Sequence, residues 1–181
     1  MRRSFQELQD KTRINDLLSH ARVGYLGLWD EEGTYVVPLN FVWKNEKVYF
    51  HGSDKGRKTD AIAKDNRVCF TVSEDLGTIA DPIPADIGTA YQSVMVFGTV
   101  KVLDALEEST DILQAMLEKF VPGYFDQKLS QKYVDAYRSS LGSKTAVYCL
   151  EPDQITAKEA LSEQNQLFFH GRKQKDDLKR T

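Results

Sequence analysis

Short runs of apolar and β-branched residues follow one another closely in the first third of the chain. Three of them, over 23–29, 34–43 and 47–51, are separated only by short polar turns. Apolar runs joined by such turns predict an antiparallel meander. Pro38 interrupts the second run and indicates an edge or a bulge, because proline cannot donate to a sheet. The pattern favours a small β-barrel or sandwich over a parallel α/β sheet.

Further segments with strand character follow in the rest of the chain. They lie over 67–73, 91–103, 144–150 and, as a possible further edge strand through Ile155, over 151–160. Gly98, inside the second of these, predicts a bend or the close approach of a neighbouring backbone. Residues 74–90 contain two prolines and two glycines without clear periodicity, which predicts a long loop such as a lid or a binding loop.

Helices are predicted between these strands, where apolar residues recur at spacings of three and four. The first predicted helix ends at His20 and has Ile14, Leu17 and Leu18 on one face. Two more span 59–66 and 107–120, and a fourth begins after Ser130. In the last helix, the residues expected to face inward are Tyr133, Val134, Tyr137 and Leu141.

The end of the third strand carries a chemical signal. The strand runs through His51 into a loop with Gly52 and Gly56, and a helix is predicted just after Arg57 and Lys58. Glycines let the backbone approach a ligand, and the free N–H groups of a helix start attract anions. Together with two basic side chains they favour a phosphate-bearing cofactor, the alternative being a solvated basic surface beside an ordinary turn. Neither G-x-G-x-x-G nor G-x-x-x-x-G-K-[ST] occurs, so the motif does not name the ligand.

Composition is that of a soluble globular protein with one domain. The chain has 181 residues and a net charge of −3, which argues against general binding of nucleic acid. No apolar run reaches the roughly 20 residues of a membrane span, and the polar N-terminus suggests no export, so a cytoplasmic protein is expected. Cys69 and Cys149 resemble buried thiols and have no partners at zinc spacing, so no metal site is predicted. The domain is predicted over 1–160, followed by a poorly ordered polar tail over 161–181.

Three segments together resemble the pyridoxamine 5′-phosphate oxidase-like flavoproteins, and most closely their nitroimidazole-resistance branch. The segments are 36–43 (VVPLNFVW), 49–58 with its YFHG and GRK, and 91–98 (YQSVMVFG), and 155–158 (ITAK) also fits that branch. The resemblance covers roughly residues 1–160. It implies a mainly β fold, the FMN-binding split β-barrel with flanking helices, working as a homodimer with FMN at the subunit interface.

The resemblance also implies cofactor-binding residues. In the family, one strand lies against the isoalloxazine ring, a strand end with a basic pair holds the ribityl chain and phosphate, and another strand lines the pocket. The matching residues are, in that order, Pro38, Leu39, Asn40 and Phe41; His51, Gly52, Arg57 and Lys58; and Tyr91 and Ser93. In the branch His51 is also a candidate for contact with substrate, although a lone histidine at a strand end is more often structural. The run 36–41 lacks the basic residues of the vitamin-synthesising oxidase, which argues against a phosphorylated pyridoxamine substrate.

The expected dimer agrees with an excess of apolar and aromatic residues over what one barrel interior holds. These residues are Tyr25, Trp29, Trp43, Phe97, Phe120, Tyr124 and Phe125. The alternative is that the helices over 107–120 and 130–141 cover them.

The family resemblance favours an FMN-dependent oxidoreductase that uses a reduced nicotinamide as donor and a small acceptor, such as a nitroaromatic compound. The flavin would carry the redox chemistry, and no catalytic residue is assigned. One alternative is a non-catalytic flavin carrier or sensor. Another is a haem-binding split barrel that uses His20, His51 or His170, although the sequence has no Cys-x-x-Cys-His motif.

Overall fold

Six antiparallel strands form a closed barrel in the computed structural model, which describes residues 4–140 and 142–178. The strands are β1 (Val23–Asp30), β2 (Gly33–Lys44), β3 (Lys47–Ser53), β4 (Arg67–Ile79), β5 (Gly88–Val102) and β6 (Thr145–Ala160). Around the barrel their order is β1-β2-β3-β6-β5-β4, and β4 closes the ring by pairing with β1. The predicted fold class, an antiparallel barrel with flanking helices, is confirmed.

Helices flank the barrel, and four of them lie at or near the predicted positions. The α-helices are α1 (Lys11–His20), α2 (Arg57–Lys64), α3 (Leu106–Phe120), α4 (Gln131–Ala136) and α5 (Gln174–Asp177), and short 3-10 helices span Ser4–Gln6, Pro84–Asp86 and Gln164–Gln166. Asp10 caps α1 by accepting from the backbone N–H groups of Thr12 and Arg13. None of the helices described is both long and apolar enough to cross a membrane.

Alternate residues of the strands fill the barrel interior. The largest fully buried side chains of this core are Tyr148, Phe41, Phe50, Phe70 and Leu26 from the strands, together with Leu17 and Leu18 from α1. A second buried cluster lies between the outer surface of β2, β3 and β6 and the apolar face of α3, and it includes Val42, Tyr49 and Met116. Since successive residues of a strand point to opposite faces, β3 therefore contributes to both clusters.

The segment predicted as a separate edge strand is instead the second half of β6. Residues 145–150 pair with β3, and the same strand continues over 148–160 in register with β5. The register shifts between Phe97 and Gly98, where a Cβ atom added to Gly98 would lie 2.0 Å from the carbonyl oxygen of Glu151. This confirms the close backbone approach that the glycine predicted. A bulge of this kind bends a strand locally, and this bend allows β6 to pair with both β3 and β5.

The prediction of a long loop over residues 74–90 is wrong for most of that segment. β4 and β5 continue beyond the barrel as a paired hairpin as far as Ile79 and Gly88, with a register shift between Asp75 and Gly77. Backbone pairing supplied by the neighbouring strand outweighs the weak periodicity and the glycines of this segment. Only residues 80–87 remain as the connecting loop.

The described part of the C-terminal tail lies along this hairpin. The N–H of Phe168 donates to the carbonyl oxygen of Thr78 at 2.7 Å, and that of Ala80 donates to Gln166 at 3.0 Å. The Arg172 side chain donates to Asp177 and to two backbone carbonyl oxygens of the same segment. The poor order of the tail and the domain boundary at residue 160 stay predictions. Contacts of the kind described here are those that hold an ordered tail against its domain.

The helix predicted after Ser130 begins as expected but is shorter. Ser130 caps it through the N–H of Tyr133, and α4 ends at Ala136. The prediction that Tyr133 and Tyr137 face inward is wrong, because they are 73% and 52% exposed, whereas Val134 is half-buried. A helix of six residues that packs mainly on α3 buries little of its surface. The fourth residue of that prediction, Leu141, lies outside the described residues.

The bulge gives a test of the barrel geometry. We expect Gly98→Ala to destabilise the protein by about 1–3 kcal/mol, because the added methyl group meets backbone rather than a movable side chain. Urea denaturation followed by circular dichroism measures this difference. The matched control is Gly88→Ala in the same strand, whose added Cβ lies 3.8 Å from Ile79. Equal stability of the two variants would contradict the described register.

Candidate functional site

β2 and β3 separate halfway along β2, and the opening between them forms the site. Residues 41–44 of β2 pair with β3, and Phe41 opposite Phe50 is the last pair before the strands part. Residues 33–40 pair with β1 on one side and with no described strand on the other. Backbone N–H and C=O groups on this free edge are available to a ligand. The edge includes Pro38, as the sequence predicted.

Helix α2 begins beside this opening. β3 ends at Ser53, and the chain turns at Gly56, whose φ of +108° favours glycine. Gly56 is the N-cap residue and supplies no side-chain cap, so the first N–H groups of α2 have no side-chain acceptor there. A helix start of this kind attracts anions. Arg57 and Lys58 are the first two residues of the helix.

The ammonium group of Lys58 lies over aromatic rings at the end of the barrel. Its Nζ is 4.9 Å from the ring centre of Tyr148 and 5.4 Å from that of Phe50, and these two rings stack on each other. A Cβ atom on Gly52 would lie 2.1 Å from Nζ, so the glycine provides the space that the ammonium occupies. Burial lowers the pKa of Lys58. No carboxylate in the described part of the chain forms an ion pair with it.

Tyr148 ties the start of α2 to the end of β3, a role that sequence reasoning missed. Its hydroxyl lies 2.9 Å from the hydroxyl of Thr59, and both hydroxyls lie 3.1 Å from the carbonyl oxygen of Ser53. These bonds fix the backbone on either side of the glycine loop. In the sequence Tyr148 appears only as one more aromatic residue of a core strand, so no local signal distinguishes it.

Arg57 is neutralised by the chain itself. Its Nε and Nη2 donate to the carboxylate of Asp30 at 2.6 and 3.1 Å, and Nη1 lies 3.2 Å from Glu32. The guanidinium also stacks on the ring of Tyr35 at 4.2 Å. The hydrogen bond from Arg57 lowers the pKa of Asp30, so this pair stays charged at neutral pH. Of the two predicted phosphate-binding residues, Lys58 is therefore the one whose charge is left for a ligand.

His51 lies on the outer side of β3, with Tyr49 and away from Phe50. Its Nδ1 is 3.1 Å from the sulfur of Met116 in α3. The imidazole lines a groove of about 640 Å³ between α3 and α4, whose other walls include Leu113, Leu117 and Tyr133. Partial burial and the nearby Lys58 ammonium lower the pKa of His51, although the residue keeps exposed surface. The imidazole is therefore neutral at pH 7.

The remaining predicted cofactor residues fall into two sets. Leu39 and Phe41 point into the barrel interior, whereas Pro38 and Asn40 are exposed on the outer face of β2. Tyr91 and Ser93 also lie on an outer surface, but at the end of β6 opposite to the end that pairs with Ser53. One chain therefore does not bring Tyr91 and Ser93 to Lys58.

The outer face of β1, β2, β4 and β5 exposes an apolar surface. Residues opposite each other in a sheet share a face, and the register forms a row from Pro38 through Tyr25 and Thr71 to Met95. The most exposed large apolar residues in β1 and β2 are Val36, Trp29 and Tyr25, at 62%, 54% and 48%. Exposed apolar residues grouped on one face are typical of an interaction site.

A second buried ammonium, that of Lys119 near the end of α3, was also missed. Its Nζ is buried, has no hydrogen-bond partner and lies 4.3 Å from the ring centre of Phe41. Burial, reinforced by the charge of Arg22, lowers the pKa of Lys119 to about 8. The helical period placed Lys119 beside the apolar face of α3, but nothing in the sequence indicated that its amine would be buried.

A closed antiparallel barrel in which one pair of strands parts is the split-barrel fold. The sequence profile of the pyridoxamine 5′-phosphate oxidase family matches residues 10–159, and the chain belongs to that family. This confirms the resemblance seen in the sequence motifs. No curated protein sequence matches the chain.

Solved structures share the fold over most of the chain. The flavocytochrome Anf3 from Azotobacter vinelandii is 20% identical with a TM-score of 0.75, over 92% of this chain and 76% of that one. The FAD- and haem-binding protein from Mycobacterium smegmatis is 20% identical with a TM-score of 0.74, over 87% and 74%. A protein described as a 5-nitroimidazole antibiotic resistance protein, from Bacteroides thetaiotaomicron, is 27% identical with a TM-score of 0.64, over 84% and 85%.

Proposed function

We propose that the protein binds FMN in the opening between β2 and β3 and acts as an oxidoreductase. The observation that carries this proposal is the Lys58 ammonium, which has no carboxylate partner in the described chain and lies beside a glycine loop and a helix start. A desolvated cation without a counter-ion is unfavourable by itself. A phosphate at this position would accept from Lys58 and from the first N–H groups of α2.

The free edge of β2 suits the flavin ring. Residues 38–40 pair with β1 on one edge and with no described strand on the other, and a flat heterocycle with polar edges can bond to that open edge as a neighbouring strand would. Pro38 removes one donor from this stretch. The open edge of β2 begins beside the last pair, Phe41 and Phe50. The proposed ring site and the proposed phosphate site therefore adjoin the same opening between β2 and β3. This supports the ring position that the family resemblance suggested.

A homodimer would complete the site. The exposed apolar face of the barrel also carries Pro38 and Asn40, whereas Tyr91 and Ser93 lie at a different place on the same chain. A second copy seated on this face would bury Trp29 and Tyr25 and would bring the partner's residues toward the opening. Symmetric dimers join like surfaces in this way. Tyr91 and Ser93 of one subunit would then line the cofactor pocket of the other.

The chemistry follows from the flavin and its surroundings. Bound FMN would supply two-electron transfer between a reduced nicotinamide and a small acceptor, while the protein binds and orients it. The neutral imidazole of His51 and the apolar groove beside it would accept a small, flat molecule. Likeness to the Bacteroides protein supports a nitroaromatic acceptor. No Arg or Lys occurs in 36–41, so the family's name alone does not support pyridoxamine phosphate as the substrate.

The phosphate assignment predicts unequal roles for the two basic residues. We expect Lys58→Ala to weaken FMN binding about tenfold or more, since charge-assisted bonds are worth roughly 1.5–3 kcal/mol. Arg57→Ala should weaken it less, because Asp30 already binds that guanidinium. Fluorescence titration of the apoprotein with FMN measures both. The control is Lys64→Ala, in the same helix and paired with Glu31. Unchanged affinity in Lys58→Ala would place the phosphate elsewhere.

The spectrum of the purified protein and its turnover separate the alternatives. A flavin spectrum with release of FMN on denaturation supports the proposal, whereas a Soret band would support the haem-binding alternative. Oxidation of a reduced nicotinamide in the presence of a nitroaromatic acceptor distinguishes an enzyme from a carrier. Bound flavin that stays oxidised under both reduced nicotinamides would contradict the oxidoreductase proposal.

The dimer proposal predicts the effect of a charge on the exposed face. Trp29→Glu should yield monomers with much weaker FMN binding, because a dimer would have to bury the new carboxylate in the apolar contact. Analytical ultracentrifugation with flavin titration checks both effects. Phe5→Glu changes a more exposed aromatic residue outside this face and should leave the mass unchanged. A wild-type protein that is monomeric with FMN bound would exclude the shared site.

A further inference from the structure

Two ammonium groups from different helices lie at the rings where β2 and β3 part. Lys58 from α2 lies over Phe50, and Lys119 from α3 lies over Phe41. Phe41 and Phe50 are the last paired residues before the strands separate. Lys58 has the glycine loop and a helix start beside it, as a phosphate site requires. Lys119 has neither, so its charge needs another explanation.

The surroundings of Lys119 make a cation costly there. Its Nζ is buried without any hydrogen-bond partner among the described residues. The charged neighbour is Arg22, which lies over the ring of Phe120 at 4.8 Å, and Lys119 lies over the same ring at 5.7 Å. Arg22 carries the same sign of charge, and no described carboxylate is paired with either residue. An aromatic face compensates a cation only in part. The arrangement therefore suits a negative charge supplied from outside the chain.

We propose that Lys119 is the group that stabilises the negative charge of the reduced flavin ring, with Arg22 as a second cation beside it. This inference rests on the proposed binding of FMN. Lys119 lies over Phe41, which ends the strand segment assigned to the ring, and it comes from a different helix than the phosphate-binding Lys58. Lys119 therefore lies beside the segment proposed for the ring and has no helix start beside it for a phosphate.

The charge balance explains why a cation matters at the ring. Transfer of a hydride from a reduced nicotinamide moves two electrons and one proton, so the neutral oxidised ring becomes an anion and the nicotinamide becomes oxidised. A buried cation beside the ring favours this anion over the neutral form, because charges interact strongly where water is excluded. Lys119 therefore raises the reduction potential of the bound flavin.

The test compares the midpoint potentials of bound FMN in the wild-type protein and in Lys119→Met. We expect the variant to bind reduced flavin at least about tenfold more weakly relative to oxidised flavin, which for a two-electron couple lowers the potential by about 30 mV. Lys119→Arg keeps the charge and should stay near the wild-type value. Lys101→Met is the surface control, since Lys101 pairs with Glu151, and should not shift the potential.

Stability of the apoprotein gives a readout that does not involve flavin. At pH 7, Lys119→Met should unfold at a higher urea concentration than the wild type, because it removes a buried cation without a partner. The native pKa of Lys119 lies below its unfolded value, so the wild type gains stability as pH rises above about 8, and the two proteins should converge. Equal stability at all pH values would show that the amine is not buried.

The outcomes separate this inference from the proposed function. If the wild type binds FMN and the potentials of wild type, Lys119→Met and Lys119→Arg coincide, the role of Lys119 is overturned while FMN binding stands. If the wild type binds no flavin, both fall. A lower potential in Lys119→Met that Lys119→Arg restores supports the inference.

Discussion

The site depends on the parting of two strands in a barrel that is otherwise closed. Along the first half of β2, the ring of six strands leaves an edge with no described neighbouring strand. At the same place the ammonium group of Lys58 lies over two aromatic rings, and no carboxylate of the described residues forms an ion pair with it. A ligand with a polar ring and an anionic group would bond to the open backbone edge and compensate the charge of the ammonium.

Local chemistry explains how much of this could be predicted from the sequence. Alternating apolar residues and tight turns specify the first three strands, and the glycine loop before Arg57 and Lys58 marks the position of the proposed anion site. Gly98 likewise predicted a close backbone approach that the register confirms. These features depend on a few neighbouring residues, so their sequence signals are direct.

The features that sequence reasoning missed are set by contacts between distant parts of the chain. The extended β4–β5 hairpin is stabilised by pairing across its two strands, although its own residues look like a loop. Asp30 lies 27 residues before Arg57 in the sequence, and its carboxylate neutralises the Arg57 guanidinium by accepting its hydrogen bond. Lys119 becomes a buried cation only because α3 packs against β2 near Phe41. A window of sequence contains none of these partners.

The position of the phosphate can be tested by a single structure. A crystal structure of the protein with FMN bound should show a phosphate oxygen within hydrogen-bonding distance of Lys58 Nζ, about 2.7–2.9 Å, beside the first turn of α2. The Asp30–Arg57 ion pair should remain intact in that complex. A phosphate bound away from Lys58, with the opening between β2 and β3 empty, would contradict the account.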